Sequence, residues 1–531
     1  MLGMKSMSQA LLEAEAKGPN RPALFYFDTV ISYGSLVDQV CRMAFGLRAL
    51  GVKPHDRVAV MLQNMPASAV THFAVWALGA AVVPVNIMLT RGEIKAELDD
   101  ARASVIVGLA SVADRLAGLD RELDYLRHIV VVDDHQDFSG HAPEWLPQVG
   151  SGGIGVENYR TLVSGPALTP GDWYRSDAGD MALLTYTSGT TGVPKGAINT
   201  HGHILHNVSI YRNMASLNPE ETINIAFAPL FHITGSVAGL GTAVGLATPL
   251  VLLYRFDPRI AAEAIQRRRA TFTVGAITTY LGILALSDLD NYDLSSLTHA
   301  YSGGAPVPQA TIKAFQRRTG LYIYNVYGLT ESTNGLIMVP WGERAPVDPE
   351  SGAVSIGRTG DGIAASIRDM DDPHKEAPPD TLGELCLKGS SIIEAYWQRL
   401  DANRTSFVDG WFLTGDVARL SADGWIYIVD RKKDVIISSG NKVWPRDVED
   451  VLFQHPGVQE AVVVGLPDAY RGEAVTAFVV KSAAGAALET EELEAFLRQQ
   501  LAAYKVPRAI HWVDSIPKTA TGKFLRRAFR P

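Results

Sequence analysis

The feature of this sequence that most restricts its fold is the alternation of helical and strand patterns along its first half. A helical pattern begins at Ser35, the candidate N-cap, and stops at Gly51, and a second covers residues 66–78. Short, mostly apolar runs rich in β-branched residues lie on either side of the second helix, at 57–62 and 81–85. This alternation predicts layered α/β structure. No internal repeat supports a solenoid or a propeller.

The pattern changes near residue 430. Residues 409–430 have the alternation and the Asp-Gly turns of short antiparallel strands, and the charged segment 431–434 follows them. The remaining residues have a pattern of their own, with helices at 445–453 and 489–501 and strands at 459–466 and 474–480. We therefore predict an α/β protein with a large N-terminal body of layered α/β subdomains, residues 1–430, and a small α+β C-terminal cap domain, residues 431–531.

Charge and cysteine content narrow the class of protein. The 531 residues carry 48 Lys and Arg against 57 Asp and Glu, a net charge of −9, which argues against a nucleic-acid partner. The cysteines, Cys41 and Cys386, lie too far apart in the sequence to suggest a disulfide framework or a cysteine-rich metal site, which fits a reducing compartment. Residues 1–20 lack the apolar core of a secretory signal. We expect a cytoplasmic enzyme.

One uncharged stretch, residues 222–254, tests that expectation, because a membrane helix needs only about 20 apolar residues. The stretch contains polar side chains such as Asn224 and His232 and is broken by prolines and glycines, whose freed backbone groups would be unpaired in a bilayer. It is therefore predicted to be buried core, with a strand, a loop, a helix near 235–246 and a strand at 250–254. No integral membrane segment is expected.

The strongest functional signal is the segment 184–196, LTYTSGTTGVPKG. Five Ser or Thr residues and two glycines crowd into residues 185–192, directly after an apolar pair. Backbone N–H groups, hydroxyl groups and a lysine in such a loop can surround polyphosphate oxygens. The segment lacks the residue order of a Walker loop, and a plain Ser/Thr/Gly linker would not need the Pro-Lys-Gly end. The candidate phosphate-binding residues are Thr187, Ser188, Gly189, Thr190, Thr191, Gly192 and Lys195.

With this loop, the sequence resembles the adenylate-forming superfamily, which contains acyl- and aryl-CoA synthetases, luciferases and the adenylation domains of peptide synthetases. Further motifs of the superfamily follow in its order along nearly the whole chain. They are PLFHITG at 229–235, YSGGAP at 301–306, YGLTE at 327–331, GELCLKG at 383–389, WFLTGD at 411–416, DRKKD at 430–434 and PKTATGK at 517–523. The resemblance implies an enzyme that joins a carboxylic acid to ATP with Mg²⁺ and passes the acyl group to coenzyme A.

Two anions meet when a carboxylate attacks ATP, so the site must neutralise phosphate charge. By resemblance, Glu331 holds Mg²⁺ with Thr187 as a second candidate ligand, and Thr330 donates to the α-phosphate; outside this motif a Thr-Glu pair would equally mark a helix N-terminus. Asp416 would accept from both ribose hydroxyls, although a plain β-turn explains the same residue. The remaining implied ATP contacts are Gly304, Ala305, Pro306, Asn325, Tyr327, Gly328 and Arg431.

The same resemblance assigns roles to the C-terminal cap. Lys523 would bridge the carboxylate and the α-phosphate during adenylation, a task that suits a compact ammonium on a flexible stem. Lys433 would be the hinge about which the cap rotates for thioester formation. Lys518 is more simply a solvated charge. The implied coenzyme A contacts are Ser438, Ser439, Gly440 and Tyr470, the last of which could equally be an exposed turn residue.

The implied acyl pocket carries no charged side chain, so a second charged group on the substrate would lack a partner. A medium- or long-chain fatty acid is the preferred substrate, and an aryl, alicyclic or other carboxylic acid is the alternative. Ser236 stands where some long-chain relatives carry a gating tryptophan, which weakens a strictly long-chain assignment. The pocket residues are His232, Ile233, Ser236, Ser302, Gly303, Val326 and Leu329.

Other readings of the same residues stay open. His232 could be a core histidine, and a stand-alone adenylating enzyme could deliver the acyl group to an amine or a carrier protein instead of coenzyme A. A non-catalytic scaffold is disfavoured because the phosphate loop, Glu331 and Lys523 are all present. A homodimer is compatible with this class of enzyme. The candidate catalytic residues are Lys523, Thr187, Glu331 and His232.

Overall fold

The computed structural model describes residues 3–139, 145–147, 157–187, 194–305, 307–349, 351–439, 441–468, 471–519 and 524–530. Its helices are α1 (Met7–Ala16), α2 (Tyr33–Ala49), α3 (Pro66–Ala77), α4 (Arg91–Ala101), α5 (Ala113–Leu116), α6 (Leu119–Glu122), α7 (Tyr159–Ser164), α8 (His201–Met214), α9 (Thr242–Leu246), α10 (Pro258–Arg268), α11 (Ile277–Leu284), α12 (Gln309–Thr319), α13 (Leu400–Ser406), α14 (Pro445–Leu452) and α15 (Thr490–Gln500).

The strands up to residue 302 are β1 (Pro22–Tyr26), β2 (Thr29–Ser32), β3 (Arg57–Met61), β4 (Ala81–Pro84), β5 (Val105–Leu109), β6 (His128–Val132), β7 (Glu157–Asn158), β8 (Met181–Thr187), β9 (Lys195–Thr200), β10 (Asn224–Ile225), β11 (Leu250–Leu252), β12 (Phe272–Gly275) and β13 (His299–Ser302). The later strands are β14 (Ile323–Leu329), β15 (Asn334–Met338), β16 (Arg358–Thr359), β17 (Ile363–Arg368), β18 (Gly383–Gly389), β19 (Phe407–Val408), β20 (Trp411–Leu420), β21 (Ile426–Arg431), β22 (Ile436–Ser438), β23 (Asn441–Val443), β24 (Val458–Asp468), β25 (Gly472–Lys481) and β26 (Ala509–Trp512).

Within the described residues these strands form four sheets, three of them in the body. One sheet has the order β7-β6-β5-β3-β4-β8-β9, and a second has the order β16-β15-β14-β13-β12-β10-β11-β1-β2. The inner strands of both sheets pair in parallel, which requires helical crossovers and explains the alternation in the sequence. A smaller antiparallel sheet contains β17, β18, β19, β20 and β21. The predicted α/β class is therefore confirmed.

The first helical prediction is right in place but wrong in its cap. Helix α2 begins at Tyr33, and its N-cap is Ser32, whose side chain accepts a hydrogen bond from the backbone N–H of Ser35. The helix starts earlier because Tyr33 is fully buried and its hydroxyl donates to the backbone oxygen of Thr248, a contact that sequence spacing does not reveal. Gly51, with φ +85°, ends this helical segment as expected.

The uncharged stretch 222–254 is buried core, as predicted. Strands β10 and β11 lie inside the nine-stranded sheet, and between them a π-helical segment, Gly235–Gly241, runs directly into α9. None of the helices in the described parts of the chain combines the length and the apolar character that crossing a bilayer requires.

The C-terminal residues form a small α+β domain with its own core. Strands β22, β23, β24 and β25 form an antiparallel sheet, and β26 adds to β25 in parallel. Helices α14 and α15 pack on this sheet through buried residues such as Val448, Leu493 and Leu497. The arrangement confirms a large body followed by a smaller C-terminal domain. The boundary at residues 430 and 431 stays a prediction.

Helix α3 is buried on all sides and contains a histidine that should make stability pH-dependent. His72 Nδ1 lies 2.7 Å from the Ser68 backbone oxygen, and its buried Nε2 has no hydrogen-bond partner among the described residues. Burial lowers the pKa of His72 to about 4 from its ordinary 6.5. Between pH 6.5 and pH 4 the imidazole of the unfolded chain binds a proton and that of the folded chain does not. The free energy of unfolding therefore falls as the pH drops from 6.5 to 4.

We therefore expect His72→Phe to remove part of this pH dependence. Between pH 7 and pH 4, the wild-type protein should lose about 2–3 kcal/mol more of its free energy of unfolding than the variant does. Urea unfolding at a series of pH values measures this difference, and comparing the two profiles cancels the constant cost of the substitution. Parallel profiles for the two proteins would contradict the assignment of a buried neutral imidazole.

Candidate active site

A buried carboxylate, Asp416 in the middle of β20, connects β20 with β14 and β21. The Tyr327 hydroxyl donates to Asp416 Oδ2 at 2.5 Å, and Arg431 Nε lies 2.6 Å from Asp416 Oδ1. Asp416 and Arg431 are cross-strand partners in the β20–β21 pairing, which fixes this ion pair. The Asp416 charge raises the pKa of Arg431, and burial raises the pKa of Tyr327. Each carboxylate oxygen has more than one acceptor site, so further donors such as ribose hydroxyls can also be bound.

Asn325 on β14 presents an amide oxygen that is not yet engaged in a hydrogen bond within the described residues. Asn325 is buried, and its Nδ2 donates to the Ser355 backbone oxygen at 2.8 Å. A backbone oxygen only accepts, so the amide N–H₂ must face Ser355, and Oδ1 is left without a hydrogen-bond partner among the described residues. A free acceptor in this position suits the exocyclic amine of adenine. Gly304 nearby in the YSGGAP motif has φ +80°, a backbone conformation that favours glycine.

Glu331 is held by a tyrosine that the motifs did not single out. The Tyr396 hydroxyl donates to Glu331 Oε1 at 2.7 Å, and the Lys195 ammonium lies 4.9 Å from the centre of the Tyr396 ring. A bridge between Ala197 and Tyr396 places this tyrosine beside β9. The aromatic pair Tyr396-Trp397 was the available sequence signal, but nothing in its spacing connects it with residues so far away along the chain.

The arrangement around Glu331 fits a magnesium ion bound together with ATP. Tyr396 contacts Oε1, and Oε2 has no hydrogen-bond partner in the described part of the chain. A carboxylate oxygen with phosphate oxygens is the ligand set that Mg²⁺ prefers. Thr187, the second candidate ligand, has its hydroxyl 3.4 Å from the Lys195 backbone oxygen.

The candidate phosphate loop connects two paired strands. Thr187 at the end of β8 pairs with Lys195 at the start of β9, and the Tyr186 hydroxyl anchors this stem by donating to Asp100 Oδ2 at 2.6 Å. The loop is therefore presented from a fixed hairpin stem. The candidate residues Ser188, Gly189, Thr190, Thr191 and Gly192 lie outside the described residues, as do Pro306, Gly440, Tyr470 and Lys523.

The close pairing of β14 and β15 beside Glu331 requires a glycine. A Cβ on Gly328 would lie 1.9 Å from the Asn334 backbone oxygen, so β14 and β15 can approach here only because residue 328 lacks a side chain. The Thr330 backbone oxygen accepts from Asn199 Nδ2 at 3.0 Å, which ties this turn to the end of β9. These contacts hold Thr330 and Glu331 next to β9, the second strand of the stem that carries the candidate phosphate loop.

The predicted acyl-pocket residues have mixed surroundings. His232 is half-buried, and its Nδ1 accepts from the Thr234 backbone N–H at 3.2 Å, which leaves Nε2 to carry the proton of the neutral ring. The Ser236 hydroxyl is fully buried and donates to the Leu230 backbone oxygen at 2.6 Å. Ser302 is also buried, and its hydroxyl has no hydrogen-bond partner among the described residues.

Close packing surrounds the remaining pocket residues. A Cβ on Gly303 would lie 2.6 Å from the Val326 backbone oxygen, so the turn after β13 passes directly over β14. Ile233 and Val326 are buried. Leu329 is only partly buried and packs against the main core.

The segment around Lys433 connects contacts to the body with contacts to the C-terminal domain. Lys432 Nζ donates to Glu384 Oε2 at 3.0 Å in the body, whereas Asp434 Oδ1 lies 3.1 Å from Arg530 Nη1 near the C-terminus. Lys433 between them is exposed, and partial desolvation of its ammonium lowers its pKa. A rotation at Lys433 would therefore separate the two sets of contacts.

The described coenzyme A candidates lie on the C-terminal domain. Ser438 is buried at the end of β22. Ser439 has φ +51°, and its backbone N–H donates to the Arg471 backbone oxygen at 2.9 Å. The backbone at this turn is therefore held against the start of β25.

Comparison with known proteins gives the same picture over the whole chain. The family profile of AMP-binding enzymes matches residues 11–397, and that of the AMP-binding enzyme C-terminal domain matches residues 447–523. A long-chain-fatty-acid–CoA ligase of Bacillus subtilis is 33% identical, covering 98% of this chain and 94% of the relative. A feruloyl-CoA synthase of an Amycolatopsis species is 35% identical, covering 96% of each protein.

A solved structure extends the likeness to the fold. The O-succinylbenzoate coenzyme A synthetase of Bacillus subtilis, in complex with ATP and a magnesium ion, superposes with a TM-score of 0.80 at 26% identity over 98% of both chains. Fold and sequence thus define a ligase with a large α/β body and a smaller C-terminal domain. The chain belongs to the family of AMP-binding enzymes, within the AMP-forming CoA ligases of the adenylate-forming superfamily.

The contacts of Asp416 lead to a prediction for ATP binding. Replacing Asp416 by alanine removes the acceptor expected for the ribose hydroxyls and leaves Arg431 without its 2.6 Å partner. We expect the KM for ATP to rise by about 10–100-fold, the effect of losing one or two hydrogen bonds to a charged group. Steady-state AMP formation at varied ATP measures this change.

Tyr327→Phe is the matched control for that variant. It removes the 2.5 Å hydrogen bond to Asp416 but keeps the aromatic ring and the carboxylate. Its KM for ATP should rise by less than tenfold. Equal effects of both substitutions would show that Asp416 acts through Tyr327 and does not contact the ribose.

Proposed function

We propose that this protein is an ATP-dependent carboxylate–CoA ligase whose main substrate is a medium- or long-chain fatty acid. In the first step a carboxylate oxygen of the acid attacks the α-phosphorus of ATP, and pyrophosphate leaves. In the second step the coenzyme A sulfur attacks the acyl carbon of the acyl-adenylate, and AMP leaves with the former carboxylate oxygen. The thiol proton is released to solvent.

One observation supports this function most directly: the polar groups that Asn325 on β14, Asp416 on β20 and Glu331 after β14 present. Asp416 supplies carboxylate oxygens, and Asn325 supplies a buried free acceptor. Glu331 supplies a carboxylate bound by Tyr396, whose ring lies against the Lys195 ammonium. These groups match in turn the ribose hydroxyls, the adenine amine and the metal-bound phosphates. Opposite charges near the phosphates lower the cost of bringing two anions together.

The other candidate residues around ATP have proposed roles in the first step. Mg²⁺ held by Glu331 and Thr187 would neutralise phosphate charge. Lys195 and the loop 188–193 would contact the phosphates, with Thr330 donating to the α-phosphate, and Lys523 would join the two reacting anions. The other proposed ATP contacts are Gly304, Ala305, Pro306, Tyr327, Gly328 and Arg431.

The cap and the acid site complete the proposal. Lys433 would be the hinge between a body at 1–430 and a cap at 431–531. The proposed coenzyme A contacts are Ser438, Ser439, Gly440 and Tyr470, and the proposed acyl contacts are His232, Ile233, Ser236, Ser302, Gly303, Val326 and Leu329. We further propose a cytoplasmic location and leave a homodimer as a possible assembly.

The acid is assigned from the chemistry of the pocket and from the relatives. Ile233 and Val326 are buried and apolar, so an apolar acyl body is favoured over one with a second charge. The fatty-acid ligase from Bacillus subtilis supports a fatty acid. The feruloyl-CoA synthase supports a second candidate, an aromatic acid of moderate size.

The test is product formation from purified protein with ATP, Mg²⁺ and a panel of fatty and aromatic acids, with and without coenzyme A. We expect pyrophosphate release with the correct acid and AMP and acyl-CoA only when coenzyme A is added. Rapid AMP release that ignores coenzyme A would favour delivery to an amine or a carrier protein. No pyrophosphate with any acid would overturn the ligase assignment.

A further inference from the structure

A small cavity lies between the π-helical segment Gly235–Gly241 and the inner strands of the large sheet. It leaves ≈ 10 Å³ for the centre of a water-sized sphere, about the room that one water molecule needs. Its wall continues into Thr234, directly after the predicted acyl-pocket residues His232 and Ile233. The residues that line it include Asn224 on β10 and Phe272 on β12.

Most residues that line the cavity are apolar, and the polar ones are Asn224 and Thr234. Asn224 on β10 is only 1% exposed, and its Oδ1 has no hydrogen-bond partner in the described part of the chain. The opposite side of this amide is fully engaged, because Nδ2 donates to Thr248 Oγ1 at 2.7 Å and to the Pro249 backbone oxygen at 3.1 Å. A buried acceptor of this kind is costly to leave unpaired.

The neighbouring groups show which atom of the Asn224 amide is free. The Pro249 backbone oxygen can only accept a hydrogen bond, so it must face the N–H₂ group. The Thr248 hydroxyl donates to the Ala243 backbone oxygen at 3.2 Å, which leaves it as an acceptor for Asn224. The atom without a partner at the cavity is therefore an oxygen, and it calls for a donor.

The cavity lies at the depth expected for the far end of an acyl group. In the sheet, Asn224 is in register with Phe272, and Gly275 is in register with Ser302, a predicted acyl contact. The three steps along the four residues from Phe272 to Gly275 span roughly 10 Å of strand. Asn224 thus lies about one medium-chain or hydroxyaryl acyl length below the turn where the carboxylate would be bound.

We propose that this cavity is the distal end of the acyl pocket and that Asn224 selects acids with a hydrogen-bond donor, a hydroxyl group, at the end remote from the carboxylate. This inference rests on the proposed ligase function and narrows its substrate class. The donor would satisfy Oδ1 and displace the single water for which there is room. An acid with a plain methyl end would leave the oxygen unpaired.

The experiment compares matched acids with the wild-type protein. The pairs are a medium-chain fatty acid with its ω-hydroxy form, and para-hydroxycinnamic acid with its para-methoxy form, which keeps the oxygen but lacks the donor. We expect the hydroxylated acid of at least one pair to have a kcat/KM about 5–100-fold higher. Equal or lower values for the hydroxylated acid in both pairs would overturn the proposal.

Two variants assign the preference to Asn224. Asn224→Leu removes the acceptor. In this variant the kcat/KM for the acid without a donor should rise relative to that for the hydroxylated acid, so the ratio of the two values should come close to one. Thr248→Val is the matched control, since it removes a contact of Nδ2 while the Pro249 oxygen still holds the amide. It should keep the wild-type ratio.

The outcomes separate the inference from the function on which it rests. A folded Asn224→Leu protein that keeps the full preference for the hydroxylated acid would overturn the role of Asn224, although the ligase function would stand. If that variant does not fold, the wild-type comparison still decides whether a donor is preferred. Absence of pyrophosphate release with every acid would instead reject the ligase function itself.

Discussion

Replacing Lys523 by alanine is expected to reduce the rate of acyl-adenylate formation by about 10²–10³-fold, the usual cost of losing one charged group aimed at the reacting anions. Thioester formation from a supplied acyl-adenylate should be nearly unaffected, because the carboxylate and the α-phosphate are already joined in that substrate. ATP–pyrophosphate exchange measures the first step. Release of AMP from a synthetic acyl-adenylate with coenzyme A measures the second.

Lys518 provides a matched control for Lys523 within the same motif. Its ammonium lies 2.5 Å from Glu460 Oε1 on β24, so its charge is paired inside the C-terminal domain. Lys518→Ala should leave both steps within a few-fold of wild type. Equal loss of both steps in Lys523→Ala would contradict a role limited to adenylation. A large loss of activity in Lys518→Ala would mean that the substitutions act by disturbing the structure of this segment.

Replacing Lys433 by proline should have the opposite effect on the two steps. Proline fixes its own φ and restricts the residue before it, so a hinge at this position would lose much of the rotation that it needs. We expect ATP–pyrophosphate exchange to stay within a few-fold of wild type and thioester formation to fall by at least tenfold. Separate assays of the two steps, as for Lys523, measure this difference.

The control for the hinge variant is Lys433→Ala. Alanine removes the ammonium of this exposed residue but leaves the backbone free to rotate, so both steps should proceed at close to the wild-type rate. The neighbouring contacts, Lys432 with Glu384 and Asp434 with Arg530, remain in both variants. A normal rate of thioester formation in Lys433→Pro would remove the hinge from the mechanism.

Local patterns predicted the elements of the fold well because apolar spacing directly reflects which face of a helix or strand is buried. Helix α3 and strands β3 and β4 lie where the sequence predicted them. The N-cap of α2 was misplaced because Tyr33 is drawn into the core by a contact with Thr248, 215 residues away. Such a contact cannot be read from the spacing of neighbouring residues.

For the candidate site, too, the sequence predicted the local motifs but not the contacts between distant residues. The motifs around Thr187, Glu331 and Asp416 are contiguous in the sequence, so they could be found one at a time. The hydrogen bonds that these residues make with other segments could not be predicted. Tyr327 and Asp416 are 89 residues apart, and Glu331 and Tyr396 are 65 apart. Tyr396 was missed because its role exists only when β9 brings it beside Glu331.

By itself the sequence determined the α/β class, the family and the residues available for chemistry, because those depend on local periodicity and on short contiguous motifs. Only the tertiary structure decided which polar atoms are already paired. Asn224 appeared in the sequence merely as a polar interruption of an apolar stretch. Its free oxygen emerges from the fold, because Thr248 and Pro249 occupy one side of the amide and the π-helical segment leaves a cavity on the other.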